Sequence, residues 1–279
     1  MKLGLHYHPN SANGPGKVAS NLIQGLEQIG VTVCHNQTMD INGCLQSWGV
    51  PQYRNLPSNT LMGPNLMVLP SEDSDVWQKY NDFIVPSRWV LDKYNSFEET
   101  KGCNLHIWPV GIDTEKFFPN KDIKYDCLIY FKSGSTNTRK EVISMLEEKS
   151  LTHRQITYGS YNEEEFIQLA QSSRFGVVID RTESQGIAYQ EMLSMNLPLY
   201  VVDRQVWDFY APGISFPATS APYFDDICGI KHPDLSRLEE FIEKQEEFDP
   251  REYVLENLTL KKCASEYVSL LENFCGENH

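Results

Sequence analysis

From residue 125 onward the chain repeats one pattern. A short apolar run rich in β-branched and aromatic residues is followed by a longer amphipathic segment. "YDCLIYF", "RQITYG", "FGVVID" and "LPLYVVD" are runs of the first kind, and "TRKEVISMLEEKS", "NEEEFIQLAQSS" and "QGIAYQEMLSM" separate them. Strands spaced by helix-length segments cannot close as hairpins; they need crossovers, which lay them parallel with helices on the sheet faces. The expected class is therefore α/β.

The start of the chain has the same character. "KLGLHY" reads as a strand, "HPNSANGPG" as a turn-rich loop, and "KVASNLIQGLEQIG" as a helix over 17–29 with Val18, Leu22, Ile23, Leu26 and Ile29 on one face. Gly30 stops that helix and "VTVCHN" is the next strand. The stretch "TEKFFPNKDIKY" has no periodicity and marks a junction. We expect a first domain over 1–118, a second over 119–262, and a C-terminal helix over 263–279 packing back toward the first. "LSRLEEFIEKQEEF" and "REYVLENLTLKKCASEYVSLLENF" read as two helices.

A net charge of −14, concentrated after residue 118, argues against nucleic acid as a partner. No run is apolar over the ~18 residues that would span a bilayer, and "MKLGLHYHPN" lacks a signal-peptide core, so a cytoplasmic protein is expected. Seven scattered cysteines without a C-x-x-C pair point to reduced, mostly buried thiols.

Several stretches carry chemistry. "NSANGPGKV" is not a Walker loop, because Val18 stands where a magnesium-binding hydroxyl is needed, but Gly14 and Gly16 permit close approach of an anion to the following helix. "EDSD" at 72–75 offers a metal-binding Asp-x-Asp or, by preference, helix caps. No histidine pair has metal spacing, so the histidines read as structural; His6 and His8, at the end of the first strand, keep a place at the substrate edge, and no cofactor is expected. In "TESQGIAYQEMLSMNLPLYVVD", Glu183 follows a strand and Glu191 lies in the next helix. Between them Ser184, Gln185 and Gly186 present backbone N–H groups at a helix N-terminus. Carboxylate, anion-binding amides and carboxylate can serve sugar, pyrophosphate and ribose in turn, or the two glutamates can be a cap and an exposed helical residue.

That last segment resembles the E-x7-E region of retaining glycosyltransferases of GT-B architecture, especially family 4. "NDFIVPSRWVLDKY", "IWPVGIDTEKFFP", "YGSYNEEEFIQLAQSSRFGVVI" and "NGPGKVASNLIQGLEQIG" resemble other parts of that family in the same order, over most of residues 1–205. The resemblance implies two Rossmann-like domains with parallel sheets facing across a cleft, the first of them shortened. It implies transfer of a sugar from a nucleotide-diphosphate sugar (UDP-, GDP- or ADP-linked) to an acceptor hydroxyl, with retention and without metal. Glu183 would contact the transferred sugar, and amides around Ser184, Gln185 and Gly186 its hydroxyls and phosphate. Glu191 would bind the ribose, Lys132 with Arg139 or Lys140 the pyrophosphate, and Tyr158, Gly159 and Tyr161 the base. Gly14 and Gly16 would face the phosphates from the first domain, with His6 and His8 on the acceptor side. The acceptor would be a carbohydrate, lipid-linked or protein hydroxyl. The family's Gly-Arg and Glu-Lys-Gly are absent as such from "YFKSGSTNTRKE", and Asn196 stands where glycine is usual. A nucleotide-sugar epimerase or hydrolase, or a non-catalytic nucleotide-sugar binding protein, is the alternative.

Overall fold

A computed structural model describes residues 1–9, 13–120 and 122–276, and divides the chain into two compact units. One comprises Met1–Gly111 with Leu258–His279, the other Ile112–Asn257.

In the first unit, β1 (Lys2–His6), α1 (Asn13–Gln28), β2 (Thr32–His35), β3 (Asn42–Gln46), β4 (Leu61–Asn65), α2 (Ser74–Lys79), β5 (Asp82–Val85), α3 (Arg88–Tyr94) and β6 (Asn104–Ile107) follow one another. The strands pair in the order β2-β1-β3-β4-β5-β6, every pair parallel. Strand β1 buries Leu3 and Leu5, and β3 is buried along its whole length, as a sheet covered on both faces requires. On one face Trp77 stacks on Phe83 with ring centroids 4.2 Å apart, within a cluster that includes Tyr80, Val85, Val90 and Tyr94.

The second unit holds β7 (Tyr125–Phe131), α4 (Thr136–Glu148), β8 (His153–Thr157), α5 (Glu163–Gln171), β9 (Ser173–Ile179), α6 (Ile187–Ser194) and β10 (Leu199–Val202). A small antiparallel ribbon of β11 (Val206–Trp207) and β12 (Phe216–Pro217) precedes β13 (Gly229–His232), α7 (Leu238–Lys244) and α8 (Pro250–Asn257). The order β13-β10-β9-β7-β8 is again all parallel. Helices α4 and α5 start on side-chain caps: Ser135 Oγ accepts from Thr138 N at 3.2 Å and Asn162 Oδ1 from Glu165 N at 2.8 Å. Phe175, Tyr200 and Phe241 fill the core beneath. The last helix, α9 (Leu260–Gly276), belongs to the first unit, where it packs on α1. A methyl group on Gly25 would lie 2.5 Å from Leu260 O, so only glycine lets the two helices approach this closely. Trp108 Nε1 donates to Cys263 O at 2.8 Å across the same packing.

Three sequence expectations are refined. The limits at 118/119 and 262/263 lie a few residues C-terminal to those of the compact units, because Phe117 O accepts from Ser194 Oγ of the second unit at 2.6 Å and α9 already belongs to the first unit from Leu260. Helix α1 begins at Asn13, so Gly14 and Gly16 sit in its first turns rather than in a loop. Pro15 is tolerated there because first-turn N–H groups have no helical partner to lose. The rest of the expected loop, Asn10–Ser11–Ala12, lies outside the described residues. The tail is three helices, not two, the break at 258–259 coinciding with the passage of the chain between units.

Candidate functional site

The chain order sets where the second unit's site lies. From β7 it moves outward to β8, then returns to the other side of β7 for β9, β10 and β13. The carboxyl ends of β7 and β9 therefore part from helices on opposite faces, the position at which open α/β sheets leave a crevice for ligands. Lys132 follows β7 directly, and its N–H donates to Ile179 O, the last residue of β9, at 3.1 Å. Asp180 to Glu183 continue from β9.

Three charged side chains meet there. The Lys132 ammonium donates to Glu183 Oε1 and stands 3.9 Å from Asp180 Oδ2. Burial disfavours the ammonium, but Glu183 and Asp180 outweigh it and hold its pKa above the ordinary value. Asp180 is the deepest of the three. Burial, and then its hydrogen bond to Glu183 and the charge of that group, push its pKa up to about 8, against the opposing pull of Lys132 and Ser133. Ser133 Oγ donates to Asp180 Oδ1 at 2.6 Å, and Arg181 N to the same oxygen at 2.6 Å.

An aromatic wall adjoins the charges. Lys132 Nζ lies 4.9 Å from the centre of the Tyr158 ring, just past β8. Tyr161 stacks on Phe166 at 5.5 Å and meets Tyr130 edge-on at 6.3 Å. Burial raises the Tyr161 pKa, with the Glu191 carboxylate adding to the effect and Tyr130 and Lys132 opposing it, which places Glu191 within electrostatic reach of this wall. Glu191 is 2 % exposed, so the reading of it as a solvated helical residue is excluded. Glu183 in turn is held by its backbone, N–H to Thr219 O at 2.9 Å. Thr219 is itself tied to Asp203 at the end of β10 by a 2.7 Å hydrogen bond.

The segment between the glutamates is packed tightly. Gly186 caps α6 with φ +78°, and a methyl group there would fall 1.9 Å from the Tyr189 ring. Its lack of a side chain thus accommodates Tyr189 and a left-handed backbone. Gln190 Nε2 donates to Gln185 O at 2.7 Å, fixing the turn before the helix, while Ser184 is exposed. Asn196 ends α6 with φ +59°, the left-handed turn expected of an asparagine in a glycine's place.

The remaining expected residues are spread wider. Arg139, on α4, lays its guanidinium 4.4 Å from the centre of the Phe131 ring, and Lys140 is exposed on the same helix. Gly159 is exposed with φ +80° in the turn after β8. In the first unit, His6 ends β1 at the switch between β1 and β3 and is fully buried. Burial lowers its pKa, with the Asn42 side chain opposing it. His8 is half-buried with its ring against Gly49. Glu72 of the "EDSD" stretch accepts from Leu69 N at 2.8 Å, a cap. Among the described residues no cluster of histidine, cysteine, aspartate or glutamate has a metal-holding arrangement. Nor is any helix among them long and apolar enough to cross a membrane.

Sequence reasoning missed Asp180, Ser133 and Tyr130. The signal for Asp180 was present: a carboxylate closing the buried run "FGVVID" stands at the carboxyl end of a parallel strand, where ligand-facing residues concentrate.

No family model matches the chain, and neither does any curated protein sequence. The fold has close counterparts. It is similar to sucrose-phosphate synthase from Thermosynechococcus elongatus at 12% identity and a TM-score of 0.63, covering 100% of both chains. It is similar to an alpha-glucosyltransferase in complex with UDP and a 13-mer DNA, at 11% identity and a TM-score of 0.62, covering 98% of this chain and 99% of that one. The catalytic domain of starch synthase IV from Arabidopsis thaliana, bound to ADP and acarbose, matches at 9% identity and a TM-score of 0.61, with coverage of 98% and 99%. At such identities the likeness establishes the fold: two Rossmann-like α/β units of the kind found in GT-B glycosyltransferases.

Proposed function

We propose that the protein is a glycosyltransferase that moves a sugar from a nucleotide-diphosphate sugar to an acceptor hydroxyl, with retention at the anomeric carbon and without a metal. The observation that carries this reading is the pairing of Lys132 with Glu183 at the switch point between β7 and β9, beside a wall of tyrosines within electrostatic reach of the buried Glu191. UDP and ADP, bound by proteins of the same fold, support the choice of ligand class.

In this reading the donor lies along the carboxyl ends of β7, β8 and β9. Tyr158, Gly159 and Tyr161 border the base, Glu191 accepts from the ribose, and amides at 184–186 meet the phosphate and sugar hydroxyls. Lys132 leaves Glu183 for the diphosphate, with Arg139 or Lys140 as a second cation. The ammonium then stabilises the charge that grows on the departing diphosphate, in a site fixed before the reaction begins. Glu183, released, contacts the sugar near the carbon under attack.

Thermal unfolding with UDP, GDP and ADP tests the nucleotide site. A ligand that binds only the folded chain, at about 100 times its Kd, adds roughly 2.7 kcal/mol of stability. One of the three should raise the melting temperature clearly. No shift with any of them removes the proposal. Sugar transfer from the matching nucleotide-sugar then identifies the reaction, and release of free sugar without an acceptor would mark a hydrolase instead.

A further inference from the structure

The mechanism just given leaves one charged group without a task, and it is the most deeply buried of the three. The Asp180 side chain is 3% exposed, that of Glu183 16% and that of Lys132 30%. We infer that Asp180 is a positioning residue that works in its protonated form: while it carries a proton, Lys132 has one ionised competitor and can turn to a diphosphate, and nucleotide affinity falls when that proton is lost. The inference rests on the nucleotide reading of this site and goes beyond it.

The geometry assigns the proton to Asp180 rather than Glu183. Glu183 holds the ammonium directly, whereas Asp180 Oδ2 is 3.9 Å from it. Asp180 Oδ1 is already taken by Ser133 Oγ and Arg181 N, which leaves Oδ2 as the oxygen turned toward Lys132. Asp180 and Glu183 both lie against the one Lys132 ammonium, and two carboxylates this close to a single cation disfavour joint ionisation, so one of them keeps its proton. The deeper of the two carries the larger desolvation cost when ionised.

Charge counting gives the same answer. With both acids ionised and Lys132 protonated, the group is net negative and repels a diphosphate. With Asp180 neutral it is balanced, and exchange of Glu183 for phosphate oxygens on Lys132 conserves the number of ion pairs. The groups that face Asp180 are Lys132 and Ser133 from the β7–α4 connection, Tyr130 from β7, and Glu183 and the Arg181 amide from its own loop. Tyr158 reaches it only through Lys132. Of these, Glu183 is the group that favours the neutral acid, in concert with burial, and together they place the transition at about pH 8.

Calorimetric titration of the whole protein with UDP, GDP and ADP at pH ~7 and ~8.5, in Tris and in HEPPS, tests the inference, because buffers of different ionisation enthalpy reveal protons taken up on binding. For the nucleotide that binds, affinity should fall roughly fourfold between these pH values, with uptake of about three-quarters of a proton at the higher one. Asp180→Asn should bind with no such fall and no uptake. Ser133→Ala removes a donor that stabilises the carboxylate, so its fall in affinity should move to higher pH. Wild-type binding that is flat with pH and takes up no proton overturns the inference and leaves the nucleotide site standing, as does an Asn variant that keeps the full pH dependence. Should the Asn variant fail to fold, the wild-type proton count and the Ser133→Ala shift decide. If none of the three nucleotides binds at either pH, the nucleotide reading falls, and the inference with it.

Discussion

Lys132 and Glu183 come from different strand ends, 51 residues apart in the chain, and meet in a direct ion pair at the carboxyl edge of the second unit's sheet. Neither side chain reaches a fixed position by local structure alone. The hydrogen bond from Lys132 N to Ile179 O aligns the two loops, and the bond from Glu183 N to Thr219 O holds the second loop against the segment after β12. The cation a diphosphate would need is thus stored on the carboxylate assigned to the sugar.

Replacing Glu183 with glutamine separates these two tasks. The amide keeps the shape but gives up the charge, so turnover of a nucleotide-sugar should fall roughly 100-fold or more, the size of effect seen when a fixed electrostatic partner is lost. Nucleotide affinity should hold or rise, because Lys132 no longer has Glu183 as an ionised competitor. Initial rates together with nucleotide titration check both halves. Unchanged turnover would remove Glu183 from the mechanism.

Lys132→Met leaves two carboxyl groups without their cation. Breaking a buried pair from one side commonly costs about 3–5 kcal/mol, and partial exposure of Lys132 reduces that to about 1–3 kcal/mol here. The double variant Lys132→Met/Glu183→Gln should lose less than Lys132→Met alone, since the orphaned negative charge on Glu183 is removed too. Urea unfolding of the four members of this cycle measures the coupling. Additive losses would mean that Glu183 and Lys132 do not sense one another.

Much of this arrangement was legible in the sequence. The β/α alternation after residue 125 yields the second sheet because β7, β9 and β10 are largely buried and show as apolar runs, while in the edge strand β8 only Ile156 is fully buried. Glu191 was picked out by spacing and resemblance, and it lies buried in α6. What escaped has physical causes. Gly-Pro-Gly reads as a loop breaker, yet the first turn of a helix tolerates it, so α1 starts four residues earlier than its apolar face suggests. Asp180 looked like the polar end of a strand, because one carboxylate gives no sign of which neighbours will enclose it. The ribbon of β11 and β12 is too short for a periodic signal, and what organises it is the packing of Trp207 with Tyr210 and Phe216. The break at 258–259 interrupts an apolar pattern that continues on both sides.

Gly186→Ala tests the packing that shapes the segment between the glutamates. A left-handed backbone costs an L-residue about 1–2 kcal/mol, and the new methyl group would overlap the Tyr189 ring at 1.9 Å. Tyr189 cannot swing away freely, because its hydroxyl accepts from Tyr223 N at 2.9 Å. A loss of at least about 2 kcal/mol is expected, read as a lower melting temperature, together with weaker nucleotide binding as Gln185 and the start of α6 shift. A variant as stable as the parent would show that this turn is not fixed by the contact described.

The raised pKa of Asp180 also makes a prediction for the protein without ligand. In the unfolded chain this acid ionises near pH 4, whereas in the folded one it holds its proton to about pH 8. Between those values the folded state binds one more proton than the unfolded state, so the residue's contribution to stability declines as pH rises and levels off above about 8. Asparagine has no proton to lose. The stability advantage of Asp180→Asn over the parent should therefore be larger at pH ~8 than at pH ~5 in urea unfolding. A gap that stays constant between these pH values would mean that Asp180 is ionised in the fold, paired with Lys132 as an ordinary carboxylate.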